Sequence, residues 1–206
     1  MMSEQPGKAE LFKTEIQGKI KNLLQEFVDG KISREQFNIL YERYDVQLSL
    51  ANEAIAAKQG GGFEEMAGGM STFAVRKATE GKAVGLAIYH HRSGTFIETL
   101  GDFDAGPKET TPILSELSLK METHEYVEPM IRSIRKGVWL MFASRDYTTV
   151  ITMFRNEPSP QQVKEIVRLH HDFEEANKRL LGANMIHANK LAVPFLAFVQ
   201  KKLGGR

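Results

Sequence analysis

Two pairs of adjacent histidines are the residues of this 206-residue chain that most resemble part of a metal or catalytic site. The pairs are His90-His91 and His170-His171. Neighbours on a strand point to opposite faces and neighbours on a helix diverge by about 100°, so neither pair has the i, i+4 spacing of a helical metal site. A site shared between the pairs is the alternative. We expect His90 and His91 in a hairpin turn and His170 half-buried on a helix.

Other side chains with nucleophilic or ligating chemistry lack the surroundings that this chemistry needs. Ser93 lies in the predicted turn, and the sequence has no G-x-S-x-G elbow, Walker loop or G-x-G-x-x-G pattern. Asp102 and Asp104 follow a predicted strand without EF-hand spacing, which favours solvated turn residues. The chain has no cysteine, which excludes disulfides and thiolate chemistry. We therefore predict no catalytic residue, no metal ligand and no cofactor.

The charge balance argues against a nucleic-acid partner. The chain has 27 basic and 26 acidic residues, for a formal net charge of +1, whereas nucleic-acid binders usually have a basic excess. Arg132, Arg135 and Lys136 form a local basic cluster at the predicted end of a short helix. Cations are stabilised there by the helix dipole, and contact with an anionic partner is the functional alternative.

Near the end of the chain, Leu191 to Val199 form an almost continuous apolar run around Pro194. The run is too short to span a bilayer. It would lie on a membrane surface, dock on a partner through Phe195 and Phe198, or pack back on the domain, and we favour the last. The polar N-terminus and the absence of a run of about 18 apolar residues make the cytoplasm the expected location.

Residues 8–58 show the pattern of a helical hairpin. Apolar residues recur at steps of three and four on both sides of a short turn, with Gly30 as a stop and Ser33 and Gln36 spaced as a capping box. Such a hairpin exposes apolar surface unless the main domain or a second copy of the chain covers it. The candidate interface residues are Phe27, Phe37, Leu40, Tyr44 and Leu48.

The stretch LLQEFVDGKISREQFNILYERY resembles the short helical SHOCT module. The resemblance implies an oligomerisation or docking module rather than an enzyme. The residues that carry it are Leu23, Leu24, Gly30, Ile32, Ser33, Glu35 and Phe37.

After a glycine-rich linker at 59–71, the residues from 72 to 182 predict an α+β domain, followed by an apolar C-terminal segment at 183–206. The short hairpins of the domain at 72–182 predict a five-stranded antiparallel sheet with helices packed on one or both faces, and exclude a doubly wound fold. Strands are predicted at 73–76, 83–89, 95–100, 138–143 and 147–154, and helices from 111, over 130–134 and over 159–182.

The hairpin VGLAIYHHRSGTFIETLGD resembles the opening hairpin of Roadblock/LC7 domains, which belong to the longin-like and profilin-like group. Gly94 would be the glycine that ends the turn. The family pattern has a helix before the first strand and a third strand in the second half, where this sequence shows glycines and no clear strand. The resemblance implies a regulatory platform for a small Ras-like GTPase.

These features together favour a non-catalytic, self-associating interaction or regulatory scaffold. The first alternative is a small-ligand sensor of the PAS or GAF kind, which holds its ligand between sheet and helix. The second is an enzyme without a recognisable motif, for which His90 or His91 would have to meet Asp102 or Asp104 in a pocket.

Overall fold

The computed structural model describes residues 7–56, 72–123, 127–183 and 185–195. They form two compact units, which divide between Glu80 and Gly81. The predicted linker at 59–71 lies outside the described residues. The fold class is confirmed, because two N-terminal helices precede a five-stranded antiparallel sheet with packed helices.

The first unit is the predicted helical hairpin with one further helix. Its elements are α1 (Lys8–Val28), α2 (Arg34–Ala56) and α3 (Thr72–Thr79). The turn between α1 and α2 follows the sequence signals. Gly30 has a φ of 70°, which only glycine adopts readily, and the Ser33 hydroxyl accepts a hydrogen bond from the Gln36 backbone N–H at 3.1 Å. The buried core of this unit consists of Ile16, Leu23, Ile32, Leu40, Tyr44 and Val75.

Helix α3 replaces the strand predicted at 73–76, so that prediction is wrong. A segment of three apolar residues and an arginine does not distinguish a strand from a helix, and tertiary contact decides between them. Here Val75 is buried in the hairpin core, and the Gln36 side-chain amide donates to the Arg76 carbonyl at 3.0 Å. Residues 72–80 therefore belong to the first unit and not to the domain that the sequence placed at 72–182.

The second unit is built on one open sheet. Every neighbouring pair of strands is antiparallel, in the order β2-β1-β5-β4-β3. The strands are β1 (Lys82–His90), β2 (Thr95–Gly101), β3 (Met130–Arg135), β4 (Val138–Ser144) and β5 (Thr148–Arg155). The helices are α4 (Pro107–Glu122) and α5 (Pro160–Leu181), and a single 3-10 turn follows at Ala188–Lys190.

Strand β3 occupies the segment predicted as a helix over 130–134, which is a second wrong prediction. Residues Met130 to Arg135 pair with β4 in an antiparallel ladder, which satisfies their backbone groups as a strand. Gly137, with a φ of 68°, lies in the two-residue turn that joins β3 to β4, a position that favours glycine. Helix α4 also begins earlier than predicted, at Pro107, so Pro112 lies within it. The predicted count of five strands was correct, although one of its members was not.

Helices cover both faces of the sheet. Leu114 and Leu117 of α4 pack on one face, and Ile166 and Phe173 of α5 pack on the other. Burial on both faces explains why β1, β4 and β5 are almost continuously apolar instead of alternating.

Candidate functional site

The turn end of the helical hairpin carries a contiguous apolar surface, which we call the hairpin tip. Rings from α1 and α2 stack there, with centroids 4.7 Å apart for Phe27 and Phe37 and 5.6 Å apart for Phe37 and Tyr41. Leu24 and Val28, one helical turn apart on α1, are 44% and 78% exposed. The hairpin tip comprises Leu24, Phe27, Val28, Phe37 and Tyr41.

The predicted interface residues of the hairpin divide into two groups. Phe27 and Phe37 belong to the hairpin tip. Leu40 and Tyr44 are only 0% and 4% exposed and pack inside the first unit, while Leu48 is half-buried beside them. The interface role stays a prediction for all five, but Leu40 and Tyr44 are core residues of the single chain.

The described part of the C-terminal segment packs back on the second unit, the arrangement that the sequence favoured. Phe195 is 0% exposed, with its ring centroid 5.9 Å from that of Phe173. The Asn177 amide donates to the Ala192 carbonyl and accepts from the Ala192 N–H, both at 2.8 Å. Phe195 is therefore not exposed for docking, and Phe198 lies outside the described residues.

The basic cluster has a different setting from the predicted one. Arg132 and Arg135 lie on the edge strand β3 and Lys136 in the turn after it, so the explanation by a helix dipole is wrong. All three side chains are exposed, and Arg135 forms an ion pair with Asp104. Contact with an anionic partner stays a prediction for these residues.

The first histidine pair separates at the end of β1. His90 is buried, and its Nε2 donates to the Leu181 carbonyl at 3.1 Å, so its Nδ1 accepts from the Ser93 hydroxyl at 2.9 Å. His91 instead lies 3.5 Å from the Ser118 hydroxyl of α4. His90 thus stabilises the β1–β2 turn, while Asp104 pairs with Arg135. These contacts do not form the pairing of a histidine with Asp104 that the enzyme alternative requires. Within the described ranges, no three His, Asp or Glu side chains are placed to hold a metal ion.

The second histidine pair contributes His170 to a buried polar network that the sequence did not predict. Glu174 Oε1 accepts from the Thr148 hydroxyl at 2.7 Å and from the backbone N–H groups of Thr148 and Tyr147 at 2.8 and 3.1 Å. Because the Thr148 hydroxyl donates to Glu174, it accepts from His170 Nε2 at 2.8 Å. His170 Nδ1 is then an acceptor, and it is buried without a hydrogen-bond partner. The i, i+4 spacing of His170 and Glu174 was the available signal.

Burial and hydrogen bonding set the charges of this network. Burial lowers the pKa of His170, and this outweighs the opposing effect of Glu174. For Glu174, burial acts to raise the pKa, but the adjacent His170 and the hydrogen bonds from Thr148 and the Tyr147 backbone more than offset it and lower the pKa. At neutral pH the network therefore contains a neutral His170 and an ionised Glu174.

We predict that the protein loses stability as the pH falls below about 6.5, the ordinary pKa of histidine. Unfolded His170 takes up a proton in this range while the buried side chain does not, so the unfolded state binds more protons. The slope approaches about 1.4 kcal/mol per pH unit for this one residue. Urea denaturation at pH 7.5, 6.5 and 5.5 measures it, and the curve should be flatter for His170→Asn. Stability that is constant over this range would contradict the prediction.

A cleft of about 700 Å³ lies beside this network, between the β4–β5 turn, α5 and the chain before β3. Arg145 is about one-third exposed in its wall, with its Nε 3.7 Å from Glu174 Oε2. Lys178 lies one helical turn beyond Glu174 on α5. The lining residues are Met121, Val127, Pro129, Ala143, Ser144, Arg145, Asp146, Tyr147, Val167, His170 and Lys178.

Comparison with protein-family models, with curated proteins and with solved structures finds no significant match to this chain. Among the described residues, no helix combines the length and the apolar character needed to cross a membrane.

Proposed function

We propose that this chain is a non-catalytic interaction protein that self-associates through the hairpin tip and serves as a regulatory platform. The observation that carries the proposal is the hairpin tip itself. Its stacked aromatic rings and its two exposed aliphatic side chains form one apolar surface at the end of a helical pair. Contiguous apolar surface of this kind marks protein interaction sites.

A second copy of the chain is the partner that this surface fits best. The hairpin tip contains no charged side chain, so two copies related by a twofold axis would bring apolar surface against apolar surface. The same residues would then contribute from both subunits. The resemblance to the SHOCT module supports the same arrangement, because it implies an oligomerisation or docking role.

The resemblance to Roadblock/LC7 domains implies a further partner, which would be a small Ras-like GTPase in the cytoplasm. From α3 onwards, the elements follow the order helix, two strands, helix, three strands, helix. The second unit has the third strand of the second half that the sequence patterns lacked, and α3, which packs in the first unit, precedes β1 in the chain. A pull-down with the immobilised full chain and Ras-like GTPases, loaded with GDP or a GTP analogue, tests the GTPase proposal. The absence of binding in both nucleotide states would rule it out.

We predict that the full chain is a dimer or larger and that Leu24→Lys combined with Val28→Lys makes it monomeric. Both side chains are exposed, and a lysine in the last turn of α1 interacts favourably with the helix dipole, so the hairpin should still fold. Light scattering after size-exclusion chromatography measures the mass. Leu11→Lys is the matched control, since Leu11 is exposed on the same helix outside the hairpin tip. A monomeric wild type, or a double variant with the wild-type mass, rules out this interface.

A further inference from the structure

The cleft beside the β4–β5 turn has the size and the mixed lining of a small-molecule site. Its volume of about 700 Å³ lies within the range of ligand pockets, roughly 300 to 1,000 Å³. It shares no residue with the hairpin tip, so its role is separate from self-association. Three features of the cleft wall indicate the kind of ligand. They are two cationic side chains, one buried hydrogen-bond acceptor and a strip of apolar side chains.

The cations are Arg145 and Lys178. Arg145 Nε lies 3.7 Å from Glu174 Oε2, which is too far for a hydrogen bond, and neither atom has a hydrogen-bond partner among the described residues. Lys178 forms no ion pair with any described residue. Asp146, which also lines the cleft, and the ionised Glu174 beside Arg145 offset part of this charge. Lys178 is therefore the cation without an acidic partner in the described part of the chain. The two cations can bind one carboxylate from two sides.

The buried acceptor is His170 Nδ1. His170 is 1% exposed, and it lines the cleft. Its Nε2–H is committed to the Thr148 hydroxyl, so the lone pair on Nδ1 is a buried acceptor without a hydrogen-bond partner. Leaving a buried polar atom unpaired is unfavourable, and a ligand N–H or O–H would remove that cost.

The apolar strip consists of Val127, Pro129 and Val167. Val167 and Lys178 are eleven residues apart on α5, which separates the apolar and the cationic ends of the wall by about 16 Å along the helix. We propose that the cleft binds a small amphipathic carboxylate with an N–H or O–H donor near its carboxyl group. The carboxylate lies on Arg145 and Lys178, the donor on His170 Nδ1, and the apolar chain along the strip.

N-octanoylleucine is a suitable probe, because it combines a carboxylate, an adjacent amide N–H and two apolar groups. We expect saturable binding to the full chain in isothermal titration calorimetry. Arg145→Gln and Lys178→Gln should each weaken it about tenfold, since each removes one charge-assisted hydrogen bond. Lys178 is exposed, so its replacement leaves the fold intact. Arg168→Gln is the matched control, because Arg168 lies on the same helix, pairs with Asp172 and does not line the cleft.

Two ligand analogues separate the contacts. N-octanoylleucinamide lacks the negative charge and should bind at least about tenfold more weakly. The ester isostere, in which oxygen replaces the amide N–H, should lose affinity in the wild type but not in His170→Gln, whose amide keeps the Nε2 position and lacks an acceptor at Nδ1. No saturable binding of N-octanoylleucine, equal binding of its amide, or equal weakening by Arg168→Gln overturns the proposal. The mass of the protein in solution has no bearing on these outcomes, so the site and self-association fail independently.

Discussion

Replacing Glu174 by alanine should lower the free energy of unfolding by about 3–5 kcal/mol, the usual result of removing one partner from a buried charged network. The carboxylate accepts from two backbone N–H groups, of Tyr147 and Thr148, and from the Thr148 hydroxyl. Alanine leaves these buried donors unpaired at the β4–β5 turn, and leaves Arg145 without its buried counter-charge. Urea denaturation followed by circular dichroism measures the change.

Two companion variants identify the cause. Glu174→Gln keeps one acceptor oxygen for the backbone donors, so its loss of stability should be smaller, on the order of 1–2 kcal/mol. Glu175→Ala removes an exposed carboxylate from the next position of α5 and should change stability by less than about 0.5 kcal/mol. If Glu174→Ala is no worse than Glu175→Ala, the network does not hold the turn in place.

Replacing Phe195 by alanine should lower the free energy of unfolding by a similar amount, about 3–5 kcal/mol. The ring is fully buried in the core shared by the sheet and α5, beside Phe173. Its truncation leaves a cavity that the hydrogen bonds between Asn177 and Ala192 prevent from closing, since they fix the segment that leads to it.

The same variant distinguishes a core role for Phe195 from the predicted interface role. Truncation of a core residue lowers the free energy of unfolding at every protein concentration, whereas truncation of an interface residue chiefly changes the mass of the protein in solution. Met185→Ala is the control, because Met185 is 74% exposed in the same C-terminal region and should have little effect. A Phe195→Ala protein with wild-type stability and reduced mass would contradict the packing described for this segment.

The hairpin and the central strands could be predicted from the sequence because their signals are local. The capping pair Ser33 and Gln36 and the left-handed Gly30 act within a few residues, and apolar side chains at helical spacing extend over α1 and α2. Strands β1, β4 and β5 are apolar runs bounded by turn residues, and their length favours buried strands over helices.

The candidate site was less predictable, because its parts come from distant positions in the sequence. Thr148 and Glu174 are 26 residues apart, and the lining of the cleft extends from Met121 to Lys178. The spacing of the two histidine pairs indicates neither the Ser93 and Leu181 partners of His90 nor the Thr148 partner of His170.

The sequence by itself therefore determined the α+β class, the helical hairpin and the central strands of the sheet, because hydrophobic periodicity and capping are properties of neighbouring residues. Only the tertiary structure decided that 72–79 is a helix and 130–135 a strand, since the residue pattern of such short segments fits either conformation and contacts with neighbouring elements decide between them. It also decided that Leu40, Tyr44 and Phe195 are core residues, and it placed Arg145, His170 and Glu174 together, because burial and charge pairing depend on contacts between distant parts of the chain.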